Sequence, residues 1–521
     1  MLGKKNERHD KETTLLVFSF FVLFVFVLIR SAWVCDDAYI TLRTVDNLYR
    51  GHGLTWNPGE RVQTYTHPLW MMLIVLVYFV EDNPYFILIT ISILLTIATM
   101  YLLISKLSIT ASNAIAGILL LLSSKAFIDY STSGLENPLS HFIYILFIFV
   151  FLYKPKGKYS TFALALIASL GMLCRMDSAL LFLPAIFYKV VLKRTRRDIL
   201  FVFLGFLPFI LWESFSLLYY GFLFPNTAYA KLNTGIHASL LAKQGVLYLL
   251  YTLSRDPGSL FIIGLGIYAA VKDRDWRKVV VAFGIVLYLL YVIRIGGDFM
   301  AGRFFSVLVV GAVALIVSAA LFKQNYSFFS LLIALLIVFL ATPNPPIRYN
   351  AGDSRQEVGV MGTYNGIEDE RLWYYHLTGL LTMPRNEAMP RMAWAVEGEE
   401  AKERKYDVVD RGPVGVYGFY AGPNVHVIDW YALTDPLLAR LPVDDRVTWR
   451  IGHFFRSIPE GYLETLETNK NHITNPNLAK YYDKLSLISR GDLLDKERLI
   501  AIWRMNTGYY QPLLEAYLLS H

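Results

Sequence analysis

Cysteine and charge are both scarce in this chain. Of its 521 residues only two are cysteines, and Asp, Glu, Lys and Arg together make up 17%. Cys35 and Cys174 lie in or beside apolar runs without the spacing of metal ligands, which excludes a disulfide framework and a cysteine-based zinc site. Because 55% of the residues are hydrophobic, the composition is typical of a polytopic α-helical membrane protein rather than a soluble one.

The chain also lacks a cleavage signal near its N-terminus. A basic start is followed by apolar residues from Leu15 to Ile29, and no small-x-small site follows them. This pattern predicts a retained first transmembrane helix with its N-terminus in the cytoplasm. The net charge of +7 comes mostly from short Lys and Arg clusters between apolar runs. These clusters indicate orientation in a bilayer, and no nucleic-acid partner is expected.

Long apolar runs predict the transmembrane topology. A run of about 20 apolar residues is long enough to cross a bilayer as a helix. The shorter run 69–80 is predicted to be an interfacial helix on the outer face, because counting it as a span would place three basic clusters outside. The predicted spans are 15–34, 85–104, 111–127, 138–153, 159–174, 178–192, 199–219, 259–271, 279–294, 304–322 and 326–342, eleven in all.

The composition changes after Pro343, where hydrophobicity falls and no spanning run remains. The sequence therefore predicts a transmembrane catalytic module over 1–342, with a first outer loop over 35–84, and an extracytoplasmic α/β domain over 343–521. In this topology the N-terminus is cytoplasmic and the C-terminal domain lies on the outer, periplasmic side of the membrane.

Local patterns give more detail on the outer face. Within the C-terminal domain, strands are expected from Val414 to Tyr417 and from Val425 to Tyr431, and a helix is expected from Thr434 through Arg440. The segment 220–258 is expected to be a long outer loop.

Two adjacent carboxylates, Asp36 and Asp37, follow the first apolar run. A carboxylate partly withdrawn from water has a raised pKa, which suits a general base that takes a proton from an alcohol. Acids are unfavourable at a helix C-terminus, which favours a functional role. The alternative is an ordinary interfacial pair of acids after the last turn of a helix. Asp36 is preferred over Asp37 as the base.

Further charged residues fall at the outer ends of several spans. Because Arg can stabilise the charge of a departing phosphate, these cations are candidates for binding a phosphate donor. The alternative is structural ion pairing, between Arg175 and Asp177 or between Asp298 and Arg294 or Arg303. The acids are Glu136, Asp177 and Asp298, and the cations are Arg175, Lys231, Arg294 and Arg303.

The first outer loop is also rich in aromatic and hydroxyl residues, which are typical of a sugar platform or of an interfacial belt. His67 in this loop has no partners at metal-ligand spacing, so a structural histidine is favoured over a zinc ligand. Asp273-Arg274-Asp275 has a DxD form, but it lies in a basic inner loop and is interpreted as a solvated charge run. No metal site is predicted.

Several motifs together carry a family resemblance. The chain resembles the terminal arabinofuranosyltransferase family of the GT-C glycosyltransferases, a group that includes pilin arabinosyltransferases. The motifs are DDAYITLR, GHGLTWNPGERVQTYTHPLW, SGLEN, RMD, FPNTAYAK, GGDFMAGRF, VIDWYALTDPLLARLP, WRIGHF and IPEGY.

The resemblance implies a polyprenyl-phosphate sugar donor on the outer membrane face and a catalytic acid in the first outer loop, at Asp36 or Asp37. Two departures change backbone stiffness and keep the charges. The family usually reads RPDG where this chain has Arg175-Met176-Asp177-Ser178, and GGDFMPGRF where Ala301 stands here.

The expected function is transfer of D-arabinofuranose, in the bacterial inner membrane, to a surface glycan or a glycoprotein such as pilin. No cofactor is required by the sequence, and a divalent cation stays open. Expected to bind the donor phosphate or the substrate are Arg175, Asp177, Lys231, Asp298, Arg303, Glu136 and His67.

Three alternatives remain. A related GT-C enzyme could use another lipid-linked sugar such as mannose, with a lipid A or protein acceptor. A secondary transporter would also carry intramembrane charge, although inverted repeats and broken helices at the midplane would be expected of it. A structural scaffold would need no acids. Transfer of radiolabel from a polyprenyl-phosphate sugar distinguishes the enzyme from the other two.

Overall fold

The protein is described here from a computed structural model that covers residues 2–80, 83–154, 159–193, 195–322, 325–347, 365–383, 390–405, 407–444, 446 and 448–520. Helices dominate these residues. In chain order they are α1 Leu2–Arg30, α2 Asp36–Tyr49, α3 Pro68–Tyr78, α4 Pro84–Leu102, α5 Ala111–Ser123, α6 Lys125–Asp129, α7 Asn137–Tyr153, α8 Ser160–Cys174, α9 Ala179–Lys193, α10 Arg196–Gly205, α11 Leu207–Tyr219, α12 Asn226–Leu232, α13 Ala238–Arg255, α14 Pro257–Lys272, α15 Trp276–Ile295, α16 Phe305–Ser318, α17 Asn325–Ala341, α18 Glu370–Thr378, α19 Ala393–Glu403, α20 Gly415–Ala421, α21 Tyr462–Thr468, α22 Pro476–Arg490, α23 Lys496–Asn506 and α24 Gln511–Leu519. The strands are β1 Val408–Arg411 and β2 His426–Asp429.

The chain divides into two compact units. Unit 1 comprises Met1–Cys35, Asn83–Pro208 and Ala238–Met389, and unit 2 comprises Asp36–Asp82, Phe209–His237 and Pro390–His521. The predicted domains 1–342 and 343–521 have other borders and stay a prediction.

Unit 1 is built around a completely buried helix. Every residue of α16 is buried, and α16 packs against α5, α7 and α14. Small residues allow close approach: a Cβ atom on Gly266 of α14 would lie 2.6 Å from the Ala312 Cα atom of α16. This helix–helix contact therefore depends on the missing side chain.

Unit 2 contains a small β–α–β element. β1 and β2 pair in parallel, with Val408 opposite His426, and α20 makes the crossover between them. Helix α2 packs against α20 and α3. A cluster of buried apolar side chains joins residues 428–441 to α21 and α22. It includes Leu437, Tyr462 and Tyr482.

The predicted apolar runs all fall on helices. In the described part of the chain, fewer than eleven of these helices are long and apolar enough to cross a membrane. Among the described residues, Glu12–Arg30, Pro84–Leu107 and Trp276–Ile295 are long and apolar enough to cross a membrane. Helices α10 and α11 pass the same test only as a pair bent by 47°, which fits a broken span or a re-entrant loop. Six of the other predicted spans fall on shorter apolar helices of the described residues, so the number eleven stays a prediction.

The run predicted as an interfacial helix forms α3, and its position at a membrane surface stays a prediction. The segment 220–258 is not one loop, because it contains α12 and α13. The expectation of a loop is therefore wrong, chiefly because of the 18-residue helix α13.

The predicted strand from Val414 to Tyr417 is wrong, since Gly415–Ala421 forms helix α20. Parallel strands need a crossover connection, and this segment supplies it. The strand predicted from Val425 to Tyr431 is present over His426–Asp429. The predicted helix near Thr434 is reduced to a 3-10 turn at Leu438–Arg440.

Candidate active site

Asp36 and Asp37 open a helix instead of following one. Helix α1 ends at Arg30, and α2 begins at Asp36 with both acids in its first turn. Acids are favourable at a helix N-terminus, where the backbone dipole is positive. The expectation that these acids lie at an unfavourable helix C-terminus is therefore wrong, and any case for catalysis must come from the surroundings of their side chains.

The Asp36 carboxylate is buried and held at both oxygens within unit 2. Oδ1 accepts a hydrogen bond of 2.7 Å from the Val416 backbone N–H, and Oδ2 accepts one of 3.1 Å from that of Gly415. A Cβ atom on Gly415 would lie 2.0 Å from the Asp36 carbonyl oxygen. Only glycine fits at position 415 with this backbone spacing.

The pKa of Asp36 is raised from 3.8 to about 7, mainly because the carboxyl group is buried; the charge of Asp37 contributes to the rise, and the N–H donors of Val416 and Gly415 oppose it. A carboxyl group with a pKa near 7 can exchange a proton at neutral pH, which is what a general base requires. Asp37, its neighbour, is only partly buried.

His67 lies close to the same helix. Its Nε2 atom is 2.8 Å from the Thr41 hydroxyl of α2, and its Nδ1 atom is 3.4 Å from the Thr66 hydroxyl. Because Asp37 and Thr41 are four residues apart, they lie on one face of α2. His67 therefore borders the Asp37 face of α2.

Arg43 is a fully buried residue of α2 that sequence reasoning missed. Its guanidinium donates to the backbone oxygens of Trp56, Gly418 and Val425 at 2.8, 2.6 and 2.8 Å, and it stacks 4.3 Å from the centre of the Trp56 ring. These bonds fix α2 to the crossover helix that holds Asp36. The arginine inside DDAYITLR, among apolar neighbours, was the available signal.

Five of the other predicted site residues come together in unit 1. Arg175 donates to Glu136 Oε1 at 2.7 Å and forms a two-bond pair with Asp177, at 3.0 and 2.7 Å. The Tyr288 hydroxyl donates to Asp177 Oδ2 at 3.0 Å. The alternative of an Arg175–Asp177 ion pair is thus correct for this structure.

Arg303 extends the cluster from the other side of Glu136. Its Nη2 atom is 3.3 Å from Glu136 Oε1 and its Nη1 atom is 3.7 Å from Asp298 Oδ2. Glu136 is fully buried, whereas Asp298 and Arg303 are 4% and 8% exposed. The charges alternate along the cluster, with Glu136 between the two arginines. We call Glu136, Arg175, Asp177, Asp298 and Arg303 the arginine cluster.

The loop that carries Asp298 and Arg303 is tightly folded. Gly297 has a φ of +71°, and a Cβ atom there would lie 2.5 Å from the Tyr248 ring. A glycine at this position therefore permits both the turn and the close packing against Tyr248 in unit 1.

Residues 365–383, which we call the clamp segment, form backbone hydrogen bonds with this loop. The Glu368 backbone donates to the Phe299 oxygen at 2.7 Å and accepts from the Ala301 N–H at 2.9 Å. These bonds enclose Met300, between the two charged residues of the loop. No local sequence pattern indicates this pairing, because it joins positions far apart in the chain.

Buried ion pairs fix the clamp segment within unit 1. Lys125 forms ion pairs with Asp129 and, at 3.1 Å, with Asp369. Arg371 lies 3.2 Å from Asp129 and donates to the Ser31 oxygen at 3.1 Å. Two cations and two carboxylates thus balance in charge, as a buried structural network requires.

The remaining predicted residue, Lys231, lies on α12 in unit 2 and is exposed. No group of three or more His, Cys, Asp or Glu side chains that could hold a metal ion occurs in the described part of the chain.

Comparison with known proteins assigns a class to this architecture. Residues 13–233 match the sequence model of the Alg9-like mannosyltransferase family. The crystal structure of ArnT from Cupriavidus metallidurans bound to undecaprenyl phosphate has a similar fold, with a TM-score of 0.54, 13% identity, and coverage of 81% of this chain and 87% of that one. The chain is a glycosyltransferase, and its sequence and fold are similar to those of GT-C enzymes.

Within that class, the similar curated relatives share one name. The chain is 28% identical to the terminal beta-(1->2)-arabinofuranosyltransferase of Mycobacterium tuberculosis, over 83% of this chain and 82% of that protein. It is 29% identical to the enzyme of the same name from Corynebacterium glutamicum, over 52% of this chain and 46% of that protein. The resemblance found in the sequence is confirmed.

Proposed function

We propose that this glycosyltransferase moves D-arabinofuranose from a polyprenyl-phosphate donor to an acceptor outside the cytoplasm. The identity with a terminal beta-(1->2)-arabinofuranosyltransferase over 83% of the chain supports the sugar. ArnT, which has a similar fold, was crystallised bound to undecaprenyl phosphate, and this supports a lipid-phosphate donor. The acceptor is a surface glycan or a glycoprotein such as pilin.

The proposed general base is Asp36, and its buried carboxyl group with a pKa near 7 is the observation that best supports this role. The acceptor hydroxyl gives its proton to Asp36, and its oxygen forms a bond to C1 of the sugar. The bond between C1 and the phosphate oxygen breaks, and polyprenyl phosphate leaves with the electron pair. Asp37 is the second candidate for the same proton.

The proposed phosphate-binding groups are Arg303 and Arg175. Arg175 uses three N–H groups in bonds of 2.7 to 3.0 Å with Glu136 and Asp177. The ion-pair contacts of Arg303 are longer, 3.3 to 3.7 Å. Because longer contacts are weaker, replacing a carboxylate partner by a phosphate oxygen costs less free energy at Arg303 than at Arg175. Arg303 is therefore proposed to bind the phosphate directly, and Arg175 to keep Glu136 in place.

The other predicted site residues take supporting roles in this proposal. Asp298 and Asp177 orient the two arginines, His67 and Lys231 contribute to substrate binding in unit 2, and a divalent cation stays open. The proposed location is the bacterial inner membrane, with the N-terminus in the cytoplasm and the C-terminal portion in the periplasm.

Donor transfer in membranes tests this function. Membranes from an expressing strain and from a strain without the gene receive radiolabelled polyprenyl-phosphate arabinofuranose and an arabinan acceptor. Label should reach the acceptor only with the protein present. The same membranes with added EDTA, and then with added Mg²⁺ or Mn²⁺, determine whether a divalent cation is needed. No transfer from this donor under any of these conditions would contradict the proposal.

A second candidate sugar is mannose, because the matching family is described as Alg9-like mannosyltransferases. The same assay with polyprenyl-phosphate mannose separates the two. A higher kcat/KM for the arabinofuranose donor supports the first proposal, and a higher value for the mannose donor supports the second.

A further inference from the structure

Helix α23 presents an unusual surface for a helix outside the predicted spans. Trp503 is 72% exposed, and Leu494, in the turn before the helix, is 77% exposed. Leu499 and Ile500 are also exposed and flank Trp503 on the outer face of the helix. Large apolar side chains gathered on one exposed face indicate a binding surface rather than scattered surface residues. We call Leu494, Leu499, Ile500 and Trp503 the α23 face.

The opposite side of α23 is fixed to the end of an apolar helix of the same unit. Arg498 is fully buried and donates to the Leu218 and Tyr219 backbone oxygens at 2.9 Å each. These are the last carbonyl groups of α11, which have no partner inside their own helix. Asn506 adds a bond of 2.8 Å to the Gly221 oxygen.

Close packing strengthens this attachment. Gly221 has a φ of +85°, and a Cβ atom there would lie 2.2 Å from the Ile488 side chain and 3.3 Å from that of Ile502. The chain leaving α11 is therefore in direct contact with α22 and α23. The position of α23 is set by where α11 ends.

Helix α11 belongs to the apolar pair that passes the test for a membrane span together with α10. It ends in the partly exposed Tyr219, and tyrosine is enriched where spans meet the headgroup region. Leu211 and Leu218 of α11 are exposed, as lipid-facing residues are. A broken span and a re-entrant loop would both bring this end of α11 to a membrane face, which is where a helix bound to it would lie.

We propose that the α23 face lies in the bilayer interface, with Trp503 and Leu494 inserted at the boundary between headgroups and acyl chains. A helix with an apolar outer face and a Trp side chain is suited to this depth. Exposed acidic and basic residues both border the face, among them Lys496, Glu497 and Arg504. Because the bordering charges are of both signs, the face is proposed to bind the lipid bilayer without needing anionic lipid. A phosphatidylcholine bilayer should therefore be sufficient.

Spin labelling of the full-length protein in phosphatidylcholine vesicles tests the proposal. The natural cysteines, Cys35 and Cys174, are buried, so a cysteine introduced by Trp503→Cys or Leu494→Cys can be labelled selectively with a nitroxide. Lys470→Cys provides the control, since Lys470 is an exposed residue of the same unit. Collision with oxygen reports lipid contact, and collision with a water-soluble nickel complex reports solvent contact.

The ratio of oxygen collisions to nickel collisions should be at least severalfold higher for the labels at 503 and 494 than for the label at 470. Equal nickel accessibility at all three positions would overturn the proposal, because the face would then be in water. Low accessibility of 503 and 494 to both reagents would also overturn it, because the face would then be covered by protein. The measurement does not depend on glycosyltransferase activity, so its result and that of the donor assay are separate.

Discussion

The Asp36 carboxylate and the Val416 backbone N–H form a hydrogen bond of 2.7 Å. This bond joins the first helix of unit 2 to the crossover helix α20, 380 positions further along the chain. The residue proposed as the base is therefore held by a segment whose own sequence shows no catalytic pattern.

Gly415→Ala tests the contact that holds Asp36. A Cβ atom at this position would lie 2.0 Å from the Asp36 carbonyl oxygen, so α2 and α20 must separate. Overpacking of this kind costs about 1–3 kcal/mol of stability, and we expect transfer activity to fall at least about tenfold as Asp36 loses its donors. Gly264→Ala is the control, because an added Cβ atom there meets nothing within 4 Å. Unchanged activity in the Gly415 variant would show that this spacing is not needed for turnover.

The rate of transfer should depend on pH through Asp36. Its pKa is about 7 in the folded protein against an ordinary value of 3.8, and a general base acts only when it is deprotonated. We expect kcat/KM to rise about tenfold per pH unit below pH 7 and to level off above it. Initial rates between pH 5.5 and 9 measure this. A profile that stays flat down to pH 5.5 would mean that no group with this pKa controls the reaction.

Arg303→Gln tests the proposed phosphate contact. Loss of one charged hydrogen bond to phosphate costs about 1.5–3 kcal/mol, so we expect the donor KM to rise about tenfold to hundredfold with little change in the acceptor KM. Arg294→Gln is the matched control, since Arg294 lies in the last turn of the preceding helix and is exposed. Equal donor KM values for the two variants and the natural protein would remove Arg303 from the donor site.

Arg371→Met tests the clamp segment. Its loss leaves the buried Asp129 with Lys125 alone, and removal of one partner of a buried ion pair costs about 3–5 kcal/mol. We expect the thermal unfolding temperature to fall, as measured by a thiol-reactive dye that reports exposure of the buried Cys35 and Cys174. The double variant Arg371→Met with Asp129→Asn should recover part of the loss. If the single and double variants unfold at the same temperature as the natural protein, the network does not stabilise unit 1.

Much of the helical part of the fold could be predicted, because apolar runs and basic clusters are local signals. Even the short run 69–80 was correctly predicted to form a helix. The crossover helix α20 was missed because GVYGFYA has the aromatic and branched residues of a strand. This segment connects two parallel strands, β1 and β2. Because parallel strands need a crossover connection, which is usually a helix, the pairing of the strands explains the helix better than the local sequence does.

The candidate site could be predicted only in part. Motif residues such as Glu136, Arg175 and Arg303 were identified individually, and the structure brings them together in unit 1. Arg43 and the clamp segment were missed, because their partners lie far away in the sequence. The raised pKa of Asp36 was expected, but its two backbone N–H donors were missed, since they leave no side-chain signature.

The most direct test of Asp36 as the catalytic base is transfer of arabinofuranose by Asp36→Asn. Turnover should fall by at least about a thousandfold, since positioned general bases contribute about 10²–10⁴-fold, while binding of the polyprenyl-phosphate donor stays within about twofold. Asp492→Asn, at an exposed carboxylate of unit 2, should be unaffected, and Asp37→Asn shows whether the second aspartate shares the role. Near-normal turnover by Asp36→Asn, with the donor bound as before, would contradict the assignment of Asp36 as the catalytic base.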